Sequence, residues 1–322
     1  MSDRDSAVTK SPDLYRSYSG YLVETFGEKV YKIPISISGT CPNRDGQLGF
    51  GGCIFCGEEG AGHETLSNVI PPREQFVRNS EYISKRYKAN KFIPYFQDFT
   101  NTYMSIEDFR KSISQVCLED VVGIAVSTRP DCINEDYLSV LAEIERTYNV
   151  KIYIELGLQS VNYKTLKKIN RGHTLAEFID GVLMIKKYGF EICAHVILNL
   201  PWDDIEDCIE CAKILSALKV DGVKLHALYI DKDTRMAELF ESGDISMIDL
   251  EEYVDRVVEF LAYLSPDIVI QRLVGRAPEK NTLFVNWNRS WWIIRDMIED
   301  EMKNKGLIQG SKWDYLGGKA LR

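Results

Sequence analysis

Short apolar segments alternate with longer amphipathic segments along most of the chain. The longer segments have helical periodicity, and several begin at a residue that caps helices, such as Ser105, Asn134 and Thr174. The apolar segments have the length of buried strands: 30–37, 91–97, 121–127, 151–156, 191–200, 222–229 and 267–273. Strands separated by helices of this length indicate βαβ units and a parallel sheet, and therefore an α/β fold.

Polar side chains stand at the ends of several predicted strands. If the sheet curls into a closed or partly closed barrel, these ends meet at one face, where barrel enzymes place their chemistry. The loop after the first strand, which carries three cysteines, would open at the same face. The pattern therefore predicts one active site formed by that loop and by the strand-end residues Gln97, Arg129, Glu155, Gln159, Asn199 and His226.

The cysteine loop has the spacing of a metal site. Cys41 is followed, after eleven residues, by Cys53-x-x-Cys56 on a glycine-rich loop. Three thiolates suit either an iron–sulfur cluster with one open iron or a zinc ion that lacks a ligand, for which His63 is available. A structural zinc site normally has four protein ligands and would be unusual at a barrel mouth, so the position of the loop favours the cluster.

Composition narrows the class of protein. Hydrophobic residues make up 45% and charged residues 27% of the 322, as in an ordinary soluble globular protein. The start of the chain is polar and no apolar run is long enough to cross a bilayer, so we expect a cytoplasmic protein without a membrane partner. Without a secretory signal, the eight cysteines favour metal binding or free thiols over disulfides. Cys208 and Cys211 share one face of a predicted helix and are expected in its core.

Charge is distributed unevenly along the chain. The net charge of −9 argues against bulk attraction to nucleic acid, but residues 271–322 contain ten Lys/Arg against six Asp/Glu, and four of the five tryptophans. This tail either offers RNA a basic, stacking surface or packs on the core through the apolar helical stripe that begins at Trp291. We predict a disordered segment at 1–20, a core at 21–270 and an extension at 271–322 that packs on the core.

Several segments together resemble the YhcC/YtqA-like group of radical S-adenosylmethionine (SAM) proteins, which is related to the radical SAM domain of the elongator catalytic subunit. The wide spacing between Cys41 and Cys53 is that of the elongator-like branch, and an aromatic residue such as Phe55 is usual before the last cysteine. The resemblance extends over roughly residues 30–312. It rests on segments 39–46, 51–56, 127–131, 155–160, 171–174, 272–278 and 309–310.

The resemblance implies a partial (β/α)6 barrel of TIM type with a C-terminal helical extension. It also implies an enzyme in which Cys41, Cys53 and Cys56 are the catalytic cysteines and the ligands of a [4Fe–4S] cluster, whose remaining iron binds SAM. A one-electron donor such as flavodoxin or ferredoxin would reduce the cluster. SAM is then cleaved to methionine and a 5′-deoxyadenosyl radical, which takes a hydrogen atom from the substrate.

The other predicted site residues are assigned to SAM. Their side-chain chemistry and the resemblance suggest Arg129 for the carboxylate, Gln97 for the amino group, Glu155 or Gln159 for the ribose, Asn199 for the adenine region, and Arg171 for SAM or substrate. The alternative is that these polar groups only satisfy backbone groups of adjoining loops. His226 is either a core partner or a substrate contact.

Kinship with the elongator subunit implies a tRNA substrate that is modified at a wobble uridine. The elongator subunit has an acetyltransferase domain after its radical SAM domain, for which we expect no room after the tail of this chain. We therefore expect hydrogen abstraction from an existing uridine side chain rather than acetyl-CoA-dependent carboxymethylation. Two alternatives stay open: a radical SAM enzyme that acts on a peptide or small metabolite, and a non-catalytic, zinc-stapled protein that binds nucleic acid or acts as a scaffold.

Overall fold

Seven parallel strands form one sheet at the centre of the molecule. The computed structural model describes residues 13–57, 65–275 and 281–313. The sheet has the order β1-β2-β3-β4-β5-β6-β8 and curls into a half-barrel, while β7 and β9 form a separate antiparallel pair. The predicted partial barrel is therefore confirmed. Its seven strands correspond to the seven apolar segments of the sequence, one more than the six that the resemblance implied. The strands are β1 Val30–Ile35, β2 Lys91–Phe96, β3 Gly123–Thr128, β4 Lys151–Gln159, β5 Glu191–Ile197, β6 Gly222–His226, β7 Ile230–Asp231, β8 Val269–Arg272 and β9 Thr282–Phe284.

Helices connect the strands and cover the outer face of the sheet. Ser105 and Asn134 cap their helices as predicted, and Thr174 forms a capping box with Glu177. Such caps satisfy amide groups that the first helical turn leaves without partners. The helices of the described residues are α1 Tyr18–Phe26, α2 Pro72–Tyr87, α3 Ile106–Ser114, α4 Glu135–Tyr148, α5 Tyr163–Lys168, α6 Leu175–Lys187, α7 Ile205–Ala217, α8 Arg235–Glu241, α9 Leu250–Tyr263 and α10 Trp291–Asn304.

Strand β4 is longer than its sequence pattern indicated. It continues to Gln159, and its pairing with β5 shifts register between Gly157 and Gln159. Gln159 has a φ of 74°, which turns the chain out of regular strand geometry at this point. The irregular end brings Gln159 to the mouth of the half-barrel, so the site gains a side chain from the tip of this strand.

The half-barrel has two free edges, β1 and β8, and α1 contacts both of them. The amide of Ile270 donates to the carbonyl of Arg16 at 2.8 Å, which ties the start of the chain to the last strand. The segment predicted to be disordered, 1–20, therefore overlaps α1 at 18–20, and its first twelve residues lie outside the described residues.

The C-terminal helix α10 packs against α9 through the predicted apolar stripe. Ile294, Ile298 and Met302 are fully buried, whereas Trp292 is 50% exposed. The packing expectation for this stripe is confirmed, as is the burial of Cys208 and Cys211 on α7. The predicted domain boundary at residue 270 falls inside β8 and stays a prediction. Across the described residues, every helix is too short or too polar to cross a bilayer.

Candidate active site

The cysteine loop follows β1 and is fastened to the segment after α5. The amide of Ile54 donates to the carbonyl of Ile169 at 3.0 Å, and the side-chain amide of Asn170 donates to the carbonyl of Gly52 at 2.8 Å. Gly172 allows this close approach: it has a φ of 80°, and a Cβ there would lie 2.3 Å from Oδ1 of Asn43. Two distant stretches of sequence thus hold the loop in one shape.

Each of the three loop sulfurs lies near the guanidinium of a different arginine. The Nη1 atom of Arg129 donates to Sγ of Cys41 at 3.8 Å. Arg171 does the same to Cys53 at 3.7 Å, and Arg44 to Cys56 at 3.8 Å. Arg129 and Arg171 are buried. Guanidinium groups can donate hydrogen bonds to the negative sulfur of a metal-bound thiolate, so all three sulfurs stand in surroundings suited to metal ligands.

The spacing of the sulfurs favours a cluster over a single ion. All three cysteines are free thiols, and burial, with Cys53 nearby, raises the pKa of the Cys56 thiol to about 11. Zinc would hold its sulfurs about 3.8 Å apart, from Zn–S bonds of about 2.3 Å. The three sulfurs do not all lie within 4.8 Å of one another. A [4Fe–4S] cluster binds each cysteine through a different iron, so its sulfurs are not held to that spacing. His63, the alternative fourth zinc ligand, lies outside the described residues.

A cavity of about 200 Å³ lies beside the three cysteines at the mouth of the half-barrel. Apolar walls are provided by Phe55, Phe99, Ile197 and Leu228, among others. A site of mostly apolar walls with a few convergent polar groups is typical of a small-molecule pocket. The predicted site residues that line the cavity are Cys41, Cys53, Cys56, Gln97, Arg129, Gln159, Arg171 and His226.

Arg129 lines the cavity but is already paired. Its Nε and Nη2 atoms donate to the two carboxylate oxygens of Asp131 at 2.9 and 2.7 Å, and Nη1 also donates to the carbonyl of Arg171 at 2.8 Å. The side chain is 2% exposed. Since Asp131 occupies the bidentate edge of the guanidinium, the structure does not support the predicted pairing of Arg129 with the carboxylate of SAM. Its contacts instead hold the cysteine loop against the segment that contains Arg171.

Glu155 does not reach the cavity, contrary to the prediction that it contacts SAM. Its carboxylate is fully buried inside the half-barrel, where it pairs with Lys32, with Lys224 at 3.0 Å and with His195 at 2.6 Å. These partners hold the pKa of Glu155 well below its usual range, against the opposing effect of burial. We call Lys32, Glu155, His195 and Lys224 the interior cluster.

The interior cluster does not have the electrostatics of a metal site. Glu155, Cys193 and His195 bring potential ligand atoms within 4.8 Å of one another. However, Lys32 and Lys224 already bind the carboxylate, and two ammonium groups would repel a metal cation at that position. We therefore interpret this group as an ion-pair network within the barrel.

Asn199 also lies away from the cavity. The backbone amide of Leu228 donates to its Oδ1 atom at 2.6 Å, and its Nδ2 atom donates to the carbonyl of the same residue at 3.4 Å. The side chain is fully buried. Asn199 therefore satisfies backbone groups of the segment after β6. This is the role that we gave above as the alternative to SAM binding, so the structure does not support the predicted contact of Asn199 with SAM.

A chain of hydrogen bonds joins the cavity to the interior cluster. Nη2 of Arg272 lies 2.7 Å from Nδ1 of His226, Nε2 of His226 lies 3.2 Å from Nδ1 of His195, and Nε2 of His195 reaches Glu155. Because arginine can only donate, this order assigns the proton of each neutral histidine to Nε2. Burial lowers the pKa of His195 to about 4 and that of His226 well below its usual value.

Sequence reasoning did not identify His195 or Arg44 as site residues. His195 lines the cavity, and its position inside the apolar strand β5 was the available signal, since an ionisable residue there needs a buried partner. Arg44 lies between the cysteines, and only the folded loop brings it to Cys56.

Two family profiles and several known proteins match this chain. A family profile described as "Radical SAM superfamily" matches residues 35–215, and one described as "Radical_SAM C-terminal domain" matches 220–304. The chain is 36% identical over 304 residues to the protein YtqA of Bacillus subtilis (strain 168), covering 94% of both chains. It is 27% identical over 209 residues to Elongator complex protein 3 of Homo sapiens, covering 64% of this chain and 35% of that protein.

A solved structure has a similar fold. The archaeal Methanocaldococcus infernus Elp3 with an N-terminal deletion of residues 1–46 superposes with a TM-score of 0.67 and 17% sequence identity. The match covers 87% of this chain and 64% of that chain, so this chain spans a little under two thirds of the archaeal structure.

Proposed function

Because the chain belongs to the radical SAM superfamily, whose members bind a [4Fe–4S] cluster and SAM, we propose that Cys41, Cys53 and Cys56 hold that cluster and that the adjoining cavity binds SAM. When bound, the cluster supplies the electron for reductive cleavage of SAM. The observation that supports this assignment most directly is the arrangement of three free thiols beside one cavity, each near a different guanidinium.

The residues around the cavity have different tasks in this proposal. Gln97 and Gln159 line it with uncharged amides, which can bond the amino group and the ribose hydroxyls of SAM. Arg171 brings a positive charge to the cavity wall. Its guanidinium donates to His173, to Sγ of Cys53 and to the carbonyl of Gly157 rather than to a carboxylate, so it is the candidate partner for the carboxylate of SAM. The aromatic rings of Phe55 and Phe99 exclude water, which protects a reactive radical from side reactions.

For the reaction, we propose hydrogen abstraction from the side chain of a wobble uridine in tRNA. This part rests on the resemblance to the radical SAM domain of the elongator catalytic subunit, and the 27% identity to Elongator complex protein 3 supports it. It is an argument from kinship, since one fold can serve many substrates. A cytoplasmic location and a flavodoxin or ferredoxin as electron donor belong to the same proposal.

Anaerobic purification followed by iron and sulfide analysis tests the cofactor assignment. We expect about four irons and four sulfides per chain, and production of 5′-deoxyadenosine and methionine when dithionite and SAM are added. Cys53→Ala should abolish the cluster absorbance and the products, because the loop then lacks one ligand. Cys117→Ala, which changes a free cysteine in the segment after α3, should leave both intact. A wild-type protein that binds one zinc and forms no 5′-deoxyadenosine would contradict the assignment.

The tRNA substrate needs a separate test. Nucleosides from a strain without the gene would be compared by mass spectrometry with those from strains complemented by the wild type or by Cys53→Ala. We expect a precursor uridine to accumulate in the deletion strain and to disappear only with the wild type. An unchanged nucleoside profile, with SAM cleavage intact in vitro, would favour a peptide or small metabolite instead.

A further inference from the structure

A second and larger cavity lies between the two free edges of the half-barrel. Its volume is about 1170 Å³, and α1, β1, β8 and α10 form its walls. Aromatic rings from Tyr18, Tyr31 and Trp291 line it, together with the cationic side chains of Lys32, Lys224 and Arg272. This cavity therefore combines ring surfaces with cationic side chains.

The inner wall of this cavity, formed by the side chains of Lys32, Lys224 and Arg272, has more positive than negative charge. Lys224 and Arg272 are paired in the register of β6 and β8, which places two cations side by side. Lys32 and Lys224 share the single carboxylate of Glu155, so three cations face one anion and two positive charges remain. Burial, together with the charges of Arg272 and Lys32, lowers the pKa of Lys224 to about 8, as expected where positive charge is in excess.

Arg272 is the cation whose charge is left uncompensated. Its Nη2 atom donates to the neutral ring of His226, and the charge has no carboxylate partner within residues 13–57, 65–275 and 281–313. Its Nε atom is buried and has no hydrogen-bond partner in the same ranges. A buried donor without an acceptor destabilises the fold, and more strongly when the group is charged. Lys32, by contrast, also binds Gln271 at 2.8 Å and lies over the rings of Tyr18 and Tyr95.

We propose that Arg272 and Lys224 bind an anionic group of the substrate, a carboxylate or a phosphate, in the cavity between β1 and β8. The subsite deepens the proposed function and rests on it, because His226 both accepts the hydrogen bond of Arg272 and lines the cavity assigned to SAM. An anion bound to Arg272 would hold the substrate close to that cavity, with the side chain of His226 between them. Such anchoring orients the substrate before reaction.

Equilibrium dialysis of the full-length, cluster-loaded protein at low ionic strength tests the subsite. Radiolabelled inorganic phosphate and acetate serve as separate probes, with SAM left out. We expect saturable binding of about one anion per chain, at least tenfold weaker in Arg272→Gln because the uncompensated charge is gone. The ion that binds more tightly indicates whether the natural group is a phosphate or a carboxylate.

Two further variants make the result interpretable. Arg295→Gln removes a cation at the rim of the same cavity that is already paired with Asp296, and it should bind both probes as the wild type does. Lys224→Gln should also weaken anion binding. If Arg272→Gln does not fold, this variant still tests whether the inner-wall cations bind the anion. Equal affinity in the wild type and either inner-wall variant, or no saturable binding by the wild type, would overturn the subsite. Cleavage of SAM by the wild type, measured separately, decides the proposed function independently.

Discussion

Polar residues occupy two levels of the half-barrel, and strand β4 contributes to both. Gln159 lies at the mouth and lines the cavity beside the cysteines, whereas Glu155, four residues earlier on the same strand, is fully buried in the interior cluster. Gly157 between them has no side chain, and its carbonyl accepts a hydrogen bond from Arg171 at 2.8 Å. Depth along the strand, rather than residue type, therefore separates a side chain that can face a ligand from one that binds its neighbours.

The largest expected difference between the two levels is in stability. Glu155→Ala should lower the free energy of unfolding by about 3–5 kcal/mol, because Lys32 and Lys224 would be left buried without their anion. Gln159→Ala should change it by less than about 1 kcal/mol and should instead weaken the binding of SAM. Urea unfolding followed by circular dichroism, with SAM titrations of both variants, measures the contrast. A stable Glu155→Ala variant that has lost SAM binding would reverse our assignment of the two residues.

A second expected difference is the response of the interior cluster to acid. The pKa of His195 is lowered to about 4 in the folded protein, below its unfolded value of about 6.5, so the unfolded state binds more protons between these limits. The free energy of unfolding should therefore fall as the pH drops below about 6.5, by about 2 kcal/mol at pH 5 from this residue alone. Unfolding curves at pH 7, 6 and 5 measure the effect. His195→Asn should lose this part of the pH dependence, and an unchanged pH profile in that variant would contradict it.

The smallest expected effect concerns the contacts to the sulfurs at the mouth. Arg171 is buried beside Cys53, whereas Arg44 is partly exposed beside Cys56. Removing a charged donor disfavours the reduced, more negative cluster, and a contact worth about 1.4 kcal/mol corresponds to roughly 60 mV for one electron. We expect a shift of that size to more negative potential in Arg171→Gln and a smaller one in Arg44→Gln, measured by redox titration with paramagnetic resonance. Equal shifts would mean that burial does not control this effect.

Much of the fold was predictable because its signals are local. The positions of the seven sheet strands follow from apolar periodicity, and helix starts follow from caps such as Ser105 and Thr174. The strands of the structure overlap the predicted segments and differ from them by a few residues at their ends. The resemblance to radical SAM proteins, carried by the cysteine loop and by short strand-end segments, is confirmed by the family match. Gln97 and Gln159 were expected at the cavity and do line it.

Three side chains that we assigned to SAM pair with protein groups in the structure, one with a near neighbour in the sequence and two with distant partners. Arg129 was expected to bind a carboxylate of SAM, and it does bind a carboxylate, but that of Asp131. Glu155 and Asn199 stand near strand ends in the sequence, yet their partners come from β1, β6 and the segment after β6. Pattern reasoning places a residue on a strand, but it does not say which opposing side chain meets it.

The sequence by itself determined the order of the seven sheet strands, the cysteine spacing and hence the family, because periodicity, caps and motifs are properties of neighbouring residues. Only the tertiary structure decided that each loop sulfur meets a different arginine, that Glu155 belongs to the interior cluster, and that Arg272 has no anionic partner among the described residues. These features arise where the half-barrel brings residues from distant parts of the chain together. Because these residues are buried, each unpaired or added charge there has a large effect on the free energy of the fold.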